Sequence, residues 1–384
     1  MRFLRSRVLL VLSYACLNVG CGARTNEGDS PQSNGGNTAG TGGSSNAGNF
    51  GLPALHVEAN HIKDPNGNTV VLRGVSTKDI GAIYAWESGI DGIRSRIDTI
   101  LQLFPHTTVI RLPAFPRKMS DADSAYYSPV PFPVGTAAPT GATDYAITNL
   151  TASEYIEQVL RPTVDYAASK HVYAIIDYHQ ILDVWDATQR RATSDAADAV
   201  TFWTAVAPAF ANYSNVLFEP FNEPMDAYID VADFANVAQS WVTAIRASAP
   251  NNIIIVSSPE WCQLPAEVSA QSLSGSNLAF TAHIYPENYQ LGVETQVTVA
   301  QQRVPVFVTE WGYQLSDQSQ FGYATPNWPT VFRPYLDNIG ASWTAWDADS
   351  EWGPTLYSGN NATLSDSGHF VATWLSDAAN AGTN

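Results

Sequence analysis

"NVLFEPFNEP", residues 215–224, starts as an apolar strand and ends in Asn222 and Glu223 before a proline. Burying a carboxylate without a partner is costly, so each glutamate of this run needs a partner in the fold or a place in a cleft. The same pattern, a Val/Ile/Phe-rich run that turns polar at its end, recurs seven times elsewhere between residues 70 and 349. This repetition predicts the fold.

The eight runs alternate with segments of helical period. The runs lie at 70–76, 108–115, 172–179, 215–224, 252–261, 278–286, 304–312 and 341–349. Residues 92–104 and 233–249 are typical of the segments between them, with apolar residues spaced as on one face of a helix. Eight strands that alternate with helices predict an α/β fold of the (β/α)8 TIM-barrel type. An open doubly wound sheet is the alternative, but it normally carries a glycine-rich phosphate loop, which the sequence lacks.

A short hairpin is predicted ahead of the first barrel strand. Alternating apolar residues stand on both sides of "DPNGN", residues 64–68, which is a hairpin turn signal. The predicted barrel is therefore a (β/α)8 barrel with a short N-terminal β-hairpin.

The first 21 residues have the pattern of an export signal. Three arginines precede an apolar run that is too short to span a membrane. The run ends at a small residue followed by Cys21, which resembles a bacterial lipoprotein cleavage site and predicts a lipid anchor there. Leu17 stands one position further upstream than in the commonest pattern, so cleavage without lipidation is the alternative. Either outcome predicts an exported bacterial protein, held at the cell surface as a lipoprotein or secreted.

Residues 22–49 are rich in Gly, Ser and Asn and predict a flexible linker, which leaves residues 50–384 for the barrel. Cys262 is the one cysteine of that part, so no internal disulfide is available. The net charge of -17 disfavours nucleic acid and anionic lipid as partners and favours a neutral or cationic substrate. We expect a monomer.

The polar ends of the runs should meet at one face, because the carboxyl ends of barrel strands form the face that carries catalytic groups. The residues placed there are Arg111, His179, Asn222, Glu223, His283, Tyr285, Glu310 and Trp346. Val306, Val308 and Glu310 share one alternation, which predicts that all three point into the barrel.

Two of these residues, Glu223 and Glu310, suggest cleavage of a glycosidic bond. That chemistry needs one protonated acid and one ionised carboxylate on opposite sides of the bond. Arg111 and the hydroxyl of Tyr285, if they lie near Glu310, favour its ionised form, whereas Glu223 needs a pocket that stabilises charge less.

From about residue 55 to 380 the chain resembles glycoside hydrolase family 5, through "FNEP" (221–224) and "VTEWG" (308–312) on the fourth and seventh predicted strands. The resemblance implies a retaining enzyme with Glu223 as acid/base and Glu310 as nucleophile. It also implies that Asn222 contacts the sugar 2-hydroxyl and that Arg111 and Tyr285 support the nucleophile. By the same resemblance, His179, His283 and Trp346 line the sugar site.

The function implied is an endo-β-1,4-glucanase that acts on a neutral polysaccharide without a cofactor or a metal. A β-mannanase or other β-glycanase of the same family is the alternative. A surface-tethered carbohydrate-binding protein without catalysis is an alternative of another class. A third is a metal-dependent hydrolase with His179, His283, Asp177 and Glu310 as ligands.

Three expectations concern structure near the site. Glu219 and Asp177 are predicted to be buried structural carboxylates with hydrogen-bond partners inside the barrel. Pro220 lacks a ladder donor, so we expect a local bulge that turns Asn222 and Glu223 together into the cleft.

Overall fold

The computed structural model describes residues 51–114, 150–226, 229–289, 291–316, 318, 321–350, 352–359 and 362–382. The predicted signal peptide, Cys21 and the predicted linker lie outside these ranges. All elements named below belong to one unit, Ala47–Asn384.

The described strands are short, as expected for a barrel. They are β1 (His56–Glu58), β2 (His61–Lys63), β3 (Arg73–Ser76), β4 (Val109–Ala114), β5 (Tyr173–Tyr178), β6 (Ile181–Leu182), β7 (Trp185–Asp186), β8 (Arg191–Ala192), β9 (Val216–Glu219), β10 (Glu223–Pro224), β11 (Ile254–Val256), β12 (Leu278–Ile284), β13 (Val306–Trp311), β14 (Ser342–Ala345), β15 (Tyr357–Ser358) and β16 (Thr363–Leu364).

Helices follow most barrel strands and pack around them. They are α1 (Ile80–Trp86), α2 (Ile90–Leu103), α3 (Ala152–Tyr155) continuing through a π-helical turn (Ile156–Leu160) into α4 (Arg161–Ser169), α5 (Ser194–Phe210), α6 (Val231–Arg246), α7 (Pro259–Cys262), α8 (Pro265–Val268), α9 (Pro286–Tyr289), α10 (Val293–Gln301), α11 (Trp328–Ile339) and α12 (Asp366–Asn380). In the described part of the chain, no helix combines the length and the apolar character that a membrane span requires.

Within the described residues, eight parallel strands close into a barrel in the order β3-β4-β5-β9-β11-β12-β13-β14. Each of the eight predicted runs contains one of these strands, so the (β/α)8 barrel is confirmed and the doubly wound alternative is wrong. The strands follow one another around the barrel in chain order, and because all neighbouring pairs are parallel, their carboxyl ends lie at one face.

The barrel interior is apolar at its amino-terminal end. Val109, Ile175, Leu217 and Phe307 meet there in one cluster, which also contains Leu55 from the segment before β1. The hairpin therefore closes the face opposite the polar strand ends, and its Ile62 joins the same cluster.

The predicted hairpin is present, but its paired strands flank a different turn. β1 and β2 pair around Ala59 and Asn60, with His56 opposite Lys63. "DPNGN" forms the next turn, in which the Gly67 amide donates to the Asp64 carbonyl at 3.0 Å and a single bridge joins Lys63 to Thr69.

Outside the barrel, the helices bury their apolar faces against the strands. The N-terminus of α6 is capped by the Asp230 side chain, which accepts from the Ala232 amide, and the inner face of this helix buries Phe234 and Trp241. Trp203, Trp241 and Trp374 of these helices are fully buried. Trp311 is also fully buried, so it belongs to the core and not to the cleft.

One expectation about β13 is wrong. Val306 and Val308 pack in the outer cluster between strands and helices, whereas Phe307 faces the interior. The pairing with β12 explains why Glu310 still turns inward: Thr281 lies opposite Phe307, but His283 lies opposite Glu310, so β13 carries one extra residue between these pairs. This bulge reverses the alternation before Glu310.

Candidate active site

The polar face is assembled from the ends of strands that are far apart in sequence. Arg111 comes from β4, Glu219 from β9, Glu223 from β10, His283 from β12 and Glu310 from β13. All five side chains are at least nine-tenths buried. The strand ends therefore bring together the charged residues that the sequence placed at this face.

Arg111 is the cation at the centre of the network. Its Nε donates to Glu219 Oε2 at 2.7 Å, and one Nη donates to Glu310 Oε2 at 2.9 Å. The other Nη donates to Asn222 Oδ1 at 2.6 Å and lies 3.0 Å from Asp177 Oδ2. A planar guanidinium suits such a role because it offers five donors in fixed directions.

Glu219 has the structural place that the sequence predicted. It is fully buried, and besides the Arg111 contact it accepts from the Thr309 hydroxyl at 2.6 Å. Burial favours its neutral form, but the charge and hydrogen bond of Arg111, with His283 nearby, outweigh this and lower the pKa of Glu219 to about 2. Glu219 is thus an ionised partner for Arg111 below the mouth of the barrel.

Glu310 receives donors on both oxygens. Arg111 donates to Oε2, and the Tyr285 hydroxyl donates to Oε1 at 2.7 Å. Burial works against ionisation, but the charges of His283 and Arg111 and the Tyr285 hydrogen bond lower the pKa of Glu310. The predicted ionised environment of this carboxylate is therefore present.

Glu223 lies beside a histidine rather than an arginine. His283 Nδ1 is 2.7 Å from Glu223 Oε1, and His283 Nε2 is 3.2 Å from the Thr309 hydroxyl. A side-chain oxygen of Glu223 and one of Glu310 lie within 4.8 Å of each other, with His283 between the two residues. The pair therefore shares one small site.

The segment around Pro220 differs from the expected bulge. β9 stops at Glu219, and the pairing with the neighbouring strand resumes at Glu223, which lies opposite Ile181 in the same register as Glu219 opposite Asp177. No residue is inserted, so the ladder is interrupted and not bulged. The interruption lets Phe221 pack on Trp241 on the outside, with ring centroids 5.2 Å apart, while Asn222 and Glu223 face the site.

An aromatic wall flanks the carboxylates. His179 Nδ1 lies 2.6 Å from Asp177 Oδ2, and the imidazole ring is parallel to the Trp346 indole at a centroid distance of 5.4 Å. Trp352 is inclined by 28° to Trp346 at 6.2 Å and is partly exposed. Asp177 is fully buried and so has the structural place predicted for it.

A second cluster of charged residues follows strands β3 and β14, and no sequence pattern had singled it out. Lys78 Nζ lies 3.3 Å from Glu87 and 3.4 Å from Asp349, and Arg96 lies 3.3 Å from Asp349. These residues come from the segments after β3 and β14, the strands that close the barrel, so their proximity depends on the closure. Thr309 was also missed, although its place next to Glu310 in "VTEWG" was a signal.

Glu223, His283 and Glu310 are compact enough that the same atoms could surround a small cation. However, the Arg111 guanidinium already lies 2.9 Å from Glu310, and His283 is hydrogen-bonded to Glu223. A second cation would be repelled there, so the arrangement fits a hydrogen-bonded network better than a metal centre. The expectation of no metal and no cofactor stays a prediction.

Comparisons with known proteins agree with this geometry. Residues 64–351 match the family model described as cellulase, glycosyl hydrolase family 5. An endoglucanase of Clostridium saccharobutylicum is 30% identical over 228 residues, covering 57% of this chain and 48% of the relative. Endoglucanase Z of Dickeya dadantii is 29% identical over 216 residues, covering 54% and 46%. The chain thus spans about half the length of these relatives.

Solved structures share the fold. A β-glucanase of Saccharophagus degradans superposes with a TM-score of 0.67 at 20% identity, over 85% of this chain and 94% of that one, and a complex of the same protein contains cellotetraose. The catalytic domain of a Thermobifida fusca endoglucanase superposes with a TM-score of 0.61 at 22% identity, over 85% and 98%. The family model spans three quarters of the sequence, and the chain belongs to glycosyl hydrolase family 5, the cellulase family.

Proposed function

We propose that the protein is a retaining endo-β-1,4-glucanase in which Glu310 is the nucleophile and Glu223 the general acid/base. The observation that carries this proposal is the closeness of the two carboxylates, which have side-chain oxygens within 4.8 Å of each other. Retaining glycosidases hold their carboxyl groups about 5–5.5 Å apart, whereas inverting enzymes need about 6.5–9.5 Å to admit a water molecule.

The two environments support different roles. Glu310 accepts from Arg111 and Tyr285 and is kept ionised, as a nucleophile requires. Glu223 has His283 as its close partner, which can share a proton with it. In the first step Glu223 protonates the leaving glycosidic oxygen while Glu310 attacks the anomeric carbon. Glu223, now a carboxylate, then takes a proton from the water that hydrolyses the glycosyl-enzyme ester.

The remaining predicted residues are proposed to hold the sugar. Asn222 accepts from Arg111 through its Oδ1, and in this proposal its amide group donates to the sugar 2-hydroxyl. His179 and Trp346 form a wall on which a pyranose ring can rest, because apolar sugar faces stack on flat aromatic rings. The acidic chain favours a neutral polysaccharide, and the curated relatives are named endoglucanases.

Two substitutions separate the proposed roles. Glu310→Gln should lose hydrolysis of both β-glucan and an activated aryl β-cellobioside by several orders of magnitude, because both need the nucleophile. Glu223→Gln should lose β-glucan hydrolysis but release the aryl group in a burst, because that leaving group needs no acid. Glu267→Gln, a partly buried glutamate of α8, is the control.

Product analysis completes the test. Proton NMR of early products should show the β anomer first, and an α anomer would overturn the double displacement. Binding to β-glucan or mannan without hydrolysis of either would favour the carbohydrate-binding alternative, and faster cleavage of mannan would replace the glucanase by a mannanase.

We also propose that residues 1–21 direct export and that Cys21 carries the lipid anchor, with residues 22–49 as a tether for a monomeric barrel domain of residues 50–384. Labelling with a radioactive fatty acid in a bacterial host, with Cys21→Ala as control, tests the anchor. Equal labelling of both proteins contradicts it. Light scattering of the purified chain tests the monomer.

A further inference from the structure

We infer that Thr309 is a positioning residue that fixes which ring nitrogen of His283 carries a hydrogen, and through it holds a proton on the Glu223–His283 pair. The inference rests on the proposed role of Glu223 as acid/base. Thr309 does not face the substrate; it acts on Glu223 through the histidine.

The hydroxyl hydrogen of Thr309 is donated to Glu219. Thr309 Oγ1 lies 2.6 Å from Glu219 Oε1, and Glu219 is fully buried with the Arg111 guanidinium 2.7 Å from its other oxygen. An ionised carboxylate can only accept, so the hydroxyl must donate its single hydrogen to Glu219.

The remaining hydrogen bonds of the Thr309 oxygen require a hydrogen on His283 Nε2. Having given its hydrogen to Glu219, the Thr309 oxygen can only accept from its other neighbours. These are the Thr281 hydroxyl, in hydrogen-bond contact, and His283 Nε2 at 3.2 Å. The two lone pairs of Thr309 Oγ1 accept one hydrogen from the Thr281 hydroxyl and one from His283 Nε2. His283 Nε2 must therefore carry a hydrogen whenever this network is intact.

The other ring nitrogen of His283, Nδ1, faces Glu223. Because Nε2 carries a hydrogen, a neutral His283 has a bare Nδ1, which faces Glu223 Oε1 at 2.7 Å. A bare nitrogen beside a carboxylate is repulsive, so this pair retains one shared proton, either on Glu223 or on Nδ1. Without the Thr309 hydroxyl, neutral His283 can move its hydrogen to Nδ1 and donate to an ionised Glu223, which leaves no proton for the leaving group.

The groups that face His283 agree with a retained proton. Glu219 Oε1 lies 3.7 Å from Nε2, and Glu310 Oε1 lies 3.8 Å from Nδ1, in addition to Glu223. From α7, the thiol of Cys262 donates to the Asn222 carbonyl, and burial keeps its pKa well above the ordinary value, so it stays neutral. Burial lowers the pKa of His283, but these carboxylates outweigh it and raise that pKa to about 10.

Thr309→Val removes the hydroxyl with little change of shape, and Thr309→Ser restores it. We expect the alkaline limb of kcat/KM against pH, measured on an aryl β-cellobioside with a poor leaving group, to move down by about one pH unit in Thr309→Val. Thr309→Ser should keep the wild-type profile. Thr163→Val is the matched control, since Thr163 is fully buried in α4 and its hydroxyl donates to a helical carbonyl.

A readout independent of activity is the ¹⁵N NMR spectrum of histidine-labelled full chain, with the His283 signals assigned by their loss in His283→Gln. At alkaline pH the wild type should show the Nε2–H tautomer and Thr309→Val the Nδ1–H tautomer. If Val is not tolerated, Thr309→Ala removes the same hydroxyl. An Nδ1–H tautomer in the wild type overturns the inference even if no variant folds.

The proposed function and the positioning role of Thr309 can be refuted separately. If the enzyme hydrolyses no β-glycan but His283 has the expected tautomers, the proposed function fails and the proton arrangement stands. If hydrolysis is normal and both the alkaline limb and the tautomer are unchanged in Thr309→Val, the positioning role of Thr309 is wrong.

Discussion

Replacing Arg111 by methionine tests whether one buried cation holds the polar end of the barrel together. Arg111 is fully buried and contacts Asp177, Glu219 and Glu310 within 3.0 Å. Methionine fills most of the side-chain volume and supplies no charge or donor. The substitution therefore leaves these three carboxylates buried around an apolar group.

The depressed pKa of Glu219 sets the size of the effect. Its fall from 4.5 to about 2 corresponds to roughly 3 kcal/mol at about 1.4 kcal/mol for each pH unit. Removing one partner of a buried ion pair typically costs about 3–5 kcal/mol, which agrees. We therefore expect Arg111→Met to lower the free energy of unfolding by about 3–5 kcal/mol at about pH 7, and Tm by roughly 6–15 °C.

The effect should depend on pH with a defined sign. A carboxyl group with a depressed folded pKa stabilises the protein above its unfolded pKa, and this contribution is lost as the pH falls towards the folded pKa. For Glu219 that window runs from 4.5 down to about 2. The wild type should lose this stability on acidification, whereas Arg111→Met already lacks the part that Arg111 supplies, so the difference between the two unfolding free energies should shrink as the pH falls from about 5.

Urea unfolding followed by tryptophan fluorescence measures the difference at several pH values. Arg94→Met is the control: Arg94 pairs with Asp91 on the surface, where the side chains are 45% and 80% exposed, and an exposed pair contributes less than about 1 kcal/mol. A loss in Arg111→Met no larger than in Arg94→Met, or a loss that is the same at all pH values, would refute the account of Arg111 as the central cation.

Two further substitutions test separate parts of the structure. Tyr285→Phe removes the hydroxyl that donates to Glu310 at 2.7 Å. Because the ionised form of Glu310 loses a donor, the acid limb of the kcat/KM profile should move up by about one pH unit. An unchanged acid limb contradicts the contact. Gly74→Ala places a Cβ 1.8 Å from the Val109 carbonyl oxygen, where β3 and β4 approach closely. Urea unfolding should show that the free energy of unfolding falls by about 2–3 kcal/mol. Wild-type stability of this variant contradicts the close approach.

Much of the site could be predicted because barrel topology converts a local pattern into a shared location. Arg111, His179, Glu223, His283 and Glu310 each follow an apolar run, and all parallel strands of a closed barrel end at one face. The shared face follows from barrel closure alone, without knowledge of individual long-range contacts. The contacts of Glu310 with Arg111 and Tyr285, expected from the sequence, are present for this reason.

The errors came from features that depend on neighbouring strands. The alternation of Val306, Val308 and Glu310 predicted three inward residues, but the extra residue in β13 is visible only in its register against β12. Pro220 was expected to cause a bulge, yet the ladder stops and resumes in register because Phe221 finds a buried place beside Trp241. The local sequence of one strand does not show its partner, which is β12 in the first case and Trp241 in the second.

With the roles proposed for Glu223 and Glu310, the network keeps its charge constant during the first chemical step. Before the step, Glu219, Glu223 and Glu310 are balanced in part by Arg111 and by the proton on the Glu223–His283 pair. Attack by Glu310 removes one negative charge as the ester forms, and transfer of the shared proton to the leaving oxygen removes one positive charge. A buried site benefits from this, because a change of net charge is costly where water cannot respond.

Under the same proposed roles, this geometry accounts for the change of Glu223 from acid to base. While Glu310 is ionised, its Oε1 lies 3.8 Å from His283 Nδ1 and favours a proton on the pair. Once Glu310 is esterified that attraction is gone, so the proton affinity of the pair falls after the leaving group has taken the proton. Glu219 and Arg111 are untouched by the reaction, so the Thr309 hydroxyl keeps His283 in one tautomer. The hydrolytic water then meets an ionised Glu223 with the unprotonated Nδ1 of His283 beside it. Because the pair no longer holds its proton, it can accept one from the water.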